Sequence, residues 1–210
     1  FPKKSDDIIE QLLINRGIEK GDRDSFLNPD YDRDLHDPLK LKDINKAIKR
    51  IIKAIDNKEK IGIYTDFDAD GVSGGALLGN FFQYLKVEFC AYIPSREEGY
   101  GFSKGGIDYL IRQGCNLIIT VDLGITGKEG VDYAREKQVD VIVTDHHLYQ
   151  KDKLPTKALA IIHPELSKEY LNNYLSGGGV AFKLIQAVAD KLGKPNKHQL
   201  KWFLDLVAIS

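Results

Sequence analysis

Three apolar runs in this sequence end alike. Ile61-Gly62-Ile63-Tyr64 leads into Thr65-Asp66-Phe67-Asp68-Ala69-Asp70-Gly71, Leu117–Val121 into Asp122, and Val141–Thr144 into Asp145-His146-His147. Short apolar runs bounded by polar residues read as buried strands. The stretches between them carry helical patterns of roughly 10–15 residues, too long for hairpin turns. Strands joined in this way form a parallel sheet with helices packed on it. The sequence therefore specifies an α/β fold with a doubly wound, mostly parallel sheet. In such a sheet every C-terminal strand end lies on one edge. Acidic and histidine residues scattered along the chain then converge on a single crevice.

The remaining segments fit this frame. Ser5-Asp6-Asp7 ahead of Ile8, Ile9, Leu12 and Leu13 reads as a capped amphipathic helix ending at Gly17. Residues 21–41 are rich in Asp, Pro and Asn and read as an irregular connector. A second helix is expected over Asp43–Asp56, its apolar side formed by Ile44, Ala47, Ile51, Ile52 and Ile55. Strands are expected at Lys60–Thr65, Val87–Ile93, Asn116–Val121, Asp140–Thr144 and Ala158–Ile162. Helices are expected at Val72–Leu85, Lys104–Gln113, Gly127–Lys137, Gly179–Leu192 and His198–Ala208. The organisation is a helical N-terminal extension over residues 1–41 and an α/β domain over 42–210.

Composition narrows the function classes. No apolar run approaches the ~18 residues that cross a bilayer, so no membrane partner is expected. Cys90 and Cys115 are too few for a disulfide framework in a chain of 210 residues. That points to a reducing, cytoplasmic setting, with Cys90 as plain core. The net charge is −1, so any surface for nucleic acid must be local rather than global.

The acidic turn carries the chemical argument. Asp66, Asp68 and Asp70 repel one another unless water screens them or a cation neutralises them. A lone aspartate after a strand is ordinarily a turn or helix cap, and paired histidines ordinarily sit in a loop. Three strand ends with the same chemistry favour a metal site instead. Carboxylates with one or two imidazoles suit Mn²⁺ or Mg²⁺, and less specifically Zn²⁺ or Fe²⁺. Two ions about 3.5–4 Å apart could clamp an in-line displacement at phosphorus, with Asp122 as the natural bridge. His36 and His163 read as structural histidines, Trp202 as core or interface packing, and the lysines between Lys40 and Lys60 as a solvated helix face.

These motifs together resemble the DHH phosphoesterase superfamily. Asp66–Gly71, Thr120–Ile125 and Val143–His147 match its first three motifs. Tyr92–Arg96 with Glu98–Gly101, Leu35–Leu39, and Ser176–Leu184 resemble its RecJ branch, single-strand-specific 5′→3′ exonucleases. The resemblance implies a two-ion Mn²⁺ or Mg²⁺ phosphodiesterase acting on single-stranded DNA in repair and recombination. Single-strand-binding protein or a helicase would be partners. Asp66, Asp68, Asp122 and His146 would be the metal ligands, with Asp66 and Asp68 on different ions and His146 on the ion of Asp68. Asp70, Asp145 and His147 would orient them or meet the scissile phosphate. The branch pattern has one more residue between Arg96 and Gly99. A fourth acidic motif follows the stretch that Leu204–Ile209 resembles, so a further ligand and a second lobe are expected beyond Ser210. Weak or no activity is expected from residues 1–210 alone.

On the substrate side, Arg96 offers a guanidinium for phosphate and Tyr100 a stacking face for an unpaired base. Both could equally be surface residues packing on the fold. Gly178 and Gly179, opening a helix, could present free N–H groups to a phosphate, or simply form a tight turn. Two other readings remain open: a phosphodiesterase for short oligonucleotides or cyclic dinucleotides, and a non-catalytic replication scaffold of the same fold. The intact acidic and histidine positions argue against the scaffold.

Overall fold

The computed structural model describes residues 7–210. They form two units divided after Asp37. In the first, α1 (Ile8–Asn15) starts under Asp7, whose carboxylate accepts from the N–H groups of Ile9 and Glu10. Ser5 and Asp6, expected in that cap, lie outside the described residues. The expected irregular connector is in fact locally regular. It holds a 3-10 turn at Lys20–Asp22, α2 (Arg23–Leu27) and α3 (Tyr31–Asp34), and a further 3-10 turn at Pro38–Lys40 opens the second unit. The polar residues that suggested loop act as caps: Asp30 accepts from Asp32 N and Arg33 N.

The second unit begins with α4 (Ile44–Asp56), which buries Ile44, Ala47, Ile48, Ile51 and Ala54 at helical spacing. Then come β1 (Lys60–Thr65), α5 (Ala69–Tyr84), β2 (Phe89–Tyr92), α6 (Lys104–Arg112), β3 (Cys115–Val121), α7 (Lys128–Glu136), β4 (Asp140–Thr144) and β5 (Ala160–Ile162). The last elements are α8 (Gly177–Leu192), α9 (Lys197–Leu200) and α10 (Leu204–Ile209). The strands pair in parallel throughout, in the order β2-β1-β3-β4-β5. The expected doubly wound parallel sheet is the fold observed. Its strand order reverses at β1 and β3, the switch point where such sheets place ligands.

Helices cover the sheet in two groups. α5 packs on α8 and β1, and α8 on α4; α6 and α7 pack on each other and on β2, β3 and β4. Tyr64, Ile107, Leu110, Ile118, Val131, Ala134 and Val143 belong to one buried cluster. Each fully buried aliphatic side chain there contributes roughly 1.5–3 kcal/mol of transfer free energy. The helix on β1 sits unusually close. A Cβ on Gly75 would lie 2.3 Å from Thr65 Cγ2, so a weak helix former is retained for the approach it permits.

Several boundaries and burials differ from expectation. α5 starts at Ala69 rather than Val72, because Asp68 caps it by accepting from Gly71 N at 2.9 Å. That places Asp70 inside the first helical turn. α8 likewise starts early, at Gly177, under Ser176. The last expected helix is broken by a 3-10 turn at Lys201–Phe203, and Trp202 in that turn is 70% exposed, which excludes the core reading but not interface packing. Apolar character alone does not fix which side of so short a turn meets the interior. Cys90 is half-buried because β2 is an edge strand, whereas Cys115 is the buried cysteine.

Candidate metal centre at the sheet edge

Strand register aligns the site. Thr65 pairs with Val121, and Val121 with Thr144, so Asp66, Asp122 and Asp145 are the next residue on each of three adjacent strands. Their N–H groups continue the ladder: Asp66 N donates to Val121 O, Asp122 N to Thr144 O, and Asp145 N to Ile162 O. The convergence read from the sequence follows from this register.

Two sets of side chains come close enough to share a cation. Asp66, Asp68 and Asp122 place one oxygen each within 4.8 Å of one another, and Asp122, His146 and His147 do the same with one atom each. Asp122 belongs to both sets, as a bridging carboxylate must. By proximity Asp66 and Asp68 fall in one set, and His146 falls with His147 in the other. Asp68 is also the cap of α5.

Asp122 is the most constrained carboxylate of the two sets. It is 1% exposed and adopts a left-handed backbone, φ 61°. Its Oδ1 is buried without a hydrogen bond of adequate geometry, although His146 Nε2 lies 3.1 Å away. An orphaned carboxylate oxygen between imidazoles and two further aspartates fits a divalent ion. Burial pushes the Asp122 carboxyl up to about 6, and burial also raises Asp66. Gly177 keeps Asp122 in place, since a Cβ there would lie 2.5 Å from Asp122 Cβ.

Asp145 is a different kind of carboxylate. It is fully buried and fully engaged, accepting from Ile125 N (2.8 Å), His146 N (2.7 Å) and His147 N (3.1 Å), and meeting His147 Nδ1 at 2.8 Å. Burial acts to raise its pKa, but these hydrogen bonds outweigh it and hold the group below its ordinary value. Its bond raises His147 to about 9 and commits Nδ1 to Asp145, leaving Nε2 for another partner. The Asp122 carboxylate beside His146 raises that imidazole as well.

Asp70 and the glycine turn answer each other. Gly177 N and Gly178 N each donate to the Asp70 carboxylate at 2.7 Å, and Gly179 N donates to Ser176 Oγ at 3.0 Å. This corrects the expectation that Gly178 and Gly179 offer free N–H groups to a phosphate. The positive start of α8 is already neutralised by an aspartate from α5. Asp70 also accepts from the Ser210 hydroxyl and lies 3.5 Å from His146 Nε2.

The loop after β2 reaches the same edge. The exposed Arg96 guanidinium stands 5.7 Å from the Phe67 ring centroid, and the Tyr100 ring meets His147 edge-on at 6.0 Å. Burial, with the nearby carboxylates, raises the Tyr100 hydroxyl. Glu98 ties the loop down, accepting from Ser95 N at 2.9 Å and from the Tyr92 hydroxyl. His163 has a closer relation to the centre than its reading as a structural histidine suggests. It follows β5 as Asp145 follows β4, and the strand-end rule that found the aspartates would have found it too.

The fold and site define a parallel α/β protein with clustered aspartates and histidines at its switch point. Residues 60–210 match the DHH family, N-terminal domain. The chain belongs to the DHH family. It is 37% identical over 204 residues to the single-stranded-DNA-specific exonuclease RecJ of Bacillus subtilis (strain 168), covering 96% of this chain and 25% of that protein. It is 34% identical to the Escherichia coli (strain K12) protein of the same name, covering all of this chain and 37% of the other. Among solved structures it is similar to a crystal structure of exonuclease RecJ bound to manganese. The TM-score is 0.71 at 34% identity, covering 80% of this chain and 42% of that one. RecJ from Thermus thermophilus in complex with Mn²⁺ gives 0.73 at 28% identity, covering 95% and 27%. The chain thus spans a quarter to a little over a third of these two curated relatives.

Proposed function

We propose that this chain is the metal-binding part of a RecJ-type exonuclease that hydrolyses single-stranded DNA. The observation that carries the reading is Asp122, shared between an all-carboxylate set and a carboxylate–imidazole set. Similarity to RecJ proteins solved with Mn²⁺ and Mg²⁺ supports those ions as cofactors. When bound, they would supply Lewis acidity toward the phosphate and lower the pKa of a water so that its hydroxide is available as the nucleophile.

In this reading Asp66, Asp68, Asp122, His146 and His147 hold the ions. Asp145 fixes the histidines by its hydrogen bonds, and Asp70 joins the start of α8 to the same edge. Arg96 pairs with a backbone phosphate, and Tyr100 stacks on the base beside the scissile bond. Digestion from the 5′ end, action with a helicase or single-strand-binding protein, and a cytoplasmic setting belong to the same proposal. Among the described residues no helix is long and apolar enough to cross a membrane.

The test is product analysis with Mn²⁺, using a protein in which this chain is continued through the expected fourth acidic motif and second lobe, on single strands labelled at either end and on a blunt duplex of the same sequence. The reading expects mononucleotides from the 5′ end of the single strand and little attack on the duplex. Cleavage confined to strands of a few nucleotides would assign the chain to the short-oligonucleotide phosphodiesterases. No Mn²⁺ binding at all would favour the scaffold.

A further inference from the structure

Behind the two histidines lies a third. His163 is wholly buried, and its Nε2 lies 2.9 Å from the His147 carbonyl oxygen. A carbonyl can only accept, so Nε2 carries the proton and donates. Nδ1 is then the bare nitrogen, and it is buried without a partner. The Tyr149 ring meets the imidazole edge-on at 5.3 Å. The His163 carbonyl accepts from Ser167 Oγ at 2.7 Å, and that oxygen accepts from Lys42 N at 2.9 Å. The residue is thus held from the segment that leads into α4.

An apolar side chain would fill the same space without burying an unmet nitrogen. What the imidazole adds is the bond to His147. That residue is gripped on both sides: Asp145 takes its N–H, and His163 takes its C=O. We propose that His163 is a positioning residue for the metal centre, its Nε2–H fixing the peptide turn from which His146 and His147 project. The inference rests on the metal reading above. It gives the His-His pair a backbone support as well as the side-chain support from Asp145.

The test compares H163Q, whose amide nitrogen reaches about as far as Nε2, with H163M, which has similar bulk and no donor. Mn²⁺ affinity is measured by titration calorimetry, and folding by the thermal midpoint of the metal-free protein. H163M is expected to bind Mn²⁺ about tenfold more weakly than wild type, with H163Q recovering most of the loss. A purely structural role would lower the midpoint of both variants and leave the affinity of the folded protein unchanged. That outcome overturns the inference. Should H163M not fold, S167A removes the hydroxyl that holds His163 from behind. It is expected to weaken Mn²⁺ binding about threefold, and wild-type affinity in S167A would then count against the proposal. If wild type itself binds no Mn²⁺, the metal reading fails and takes this inference with it. If wild type binds and H163M matches it, only this inference fails.

Discussion

At the residue scale the centre turns on one aspartate in an uncommon conformation. Asp122 combines near-complete burial with φ 61°, a region that Asn tolerates about as well as Asp. D122N should therefore fold with an unchanged or slightly higher thermal midpoint, since it removes a buried charge. It should lose Mn²⁺ binding and at least about 100-fold in hydrolysis rate, the scale of several kcal/mol of Lewis-acid stabilisation. Retained metal affinity in D122N would remove Asp122 as the bridge. The pH dependence is set by the same neighbourhood. His147 is raised to about 9 by Asp145, so its pairing stabilises the metal-free fold below its ordinary 6.5 and is lost as pH climbs through 9. Asp122 is raised to about 6, so its burial increasingly opposes folding as pH rises from 3.8 through 6. Both slopes run downward with pH in the absence of metal. A bound cation needs both groups deprotonated, so the rise in midpoint given by Mn²⁺ should grow between about pH 5.5 and 8.5. A constant increment over that range would contradict these assignments.

At the element scale the strands were legible and the helix starts were not. Apolar runs that close on aspartate located β1, β3 and β4, and their shared register is a property of a parallel sheet, so convergence of Asp66, Asp122 and Asp145 could be argued in advance. Grouping within the centre could not. It depends on Asp68 capping α5, which has a local signature, and on Asp70 reaching α8, a contact that no local pattern encodes. For the same reason the glycines at 177–179 suggested an anion cradle, when their partner is an aspartate about a hundred residues earlier. His163 follows β5 as the aspartates follow their strands, but its partner, the His147 carbonyl, is visible only in the fold. The α8 start gives a direct test. In G177A the added methyl group would meet Asp122 Cβ and Oδ1 at 2.5 Å, contacts that side chains cannot sustain. Such overpacking costs typically about 1–3 kcal/mol, so the thermal midpoint should fall and Mn²⁺ affinity with it. An unperturbed G177A would mean that α8 can move off the centre freely.

At the scale of the whole molecule the question is how a chain of net charge −1 keeps Asp66, Asp68, Asp70, Asp122 and Asp145 at one edge. Asp145 is neutralised by its own hydrogen bonds, and Asp70 by the start of α8. Asp66 and Asp68 accept from Phe67 N and Gly71 N, and Asp122 faces the two imidazoles. That is thin compensation for three carboxylates, so their mutual repulsion should be a standing cost of the metal-free fold. Two mechanisms could relieve it, and they differ in concentration and in ion. Screening by salt acts on any exposed charges and needs an ionic strength near 0.1 M to shorten the Debye length to about 10 Å. Site binding acts by mass action, giving about 2.7 kcal/mol when the free ion is at 100 times its dissociation constant. For a chain of this size that corresponds to a midpoint shift of roughly 5–10 °C. Millimolar Mn²⁺ should therefore raise the midpoint by this amount, a chelator should reverse it, and sodium chloride of matched ionic strength should leave it unmoved. Screening relieves the buried Asp122 least, because water and counter-ions do not reach it. If sodium chloride alone reproduced the Mn²⁺ shift, the edge would be a screened acidic surface rather than a metal centre.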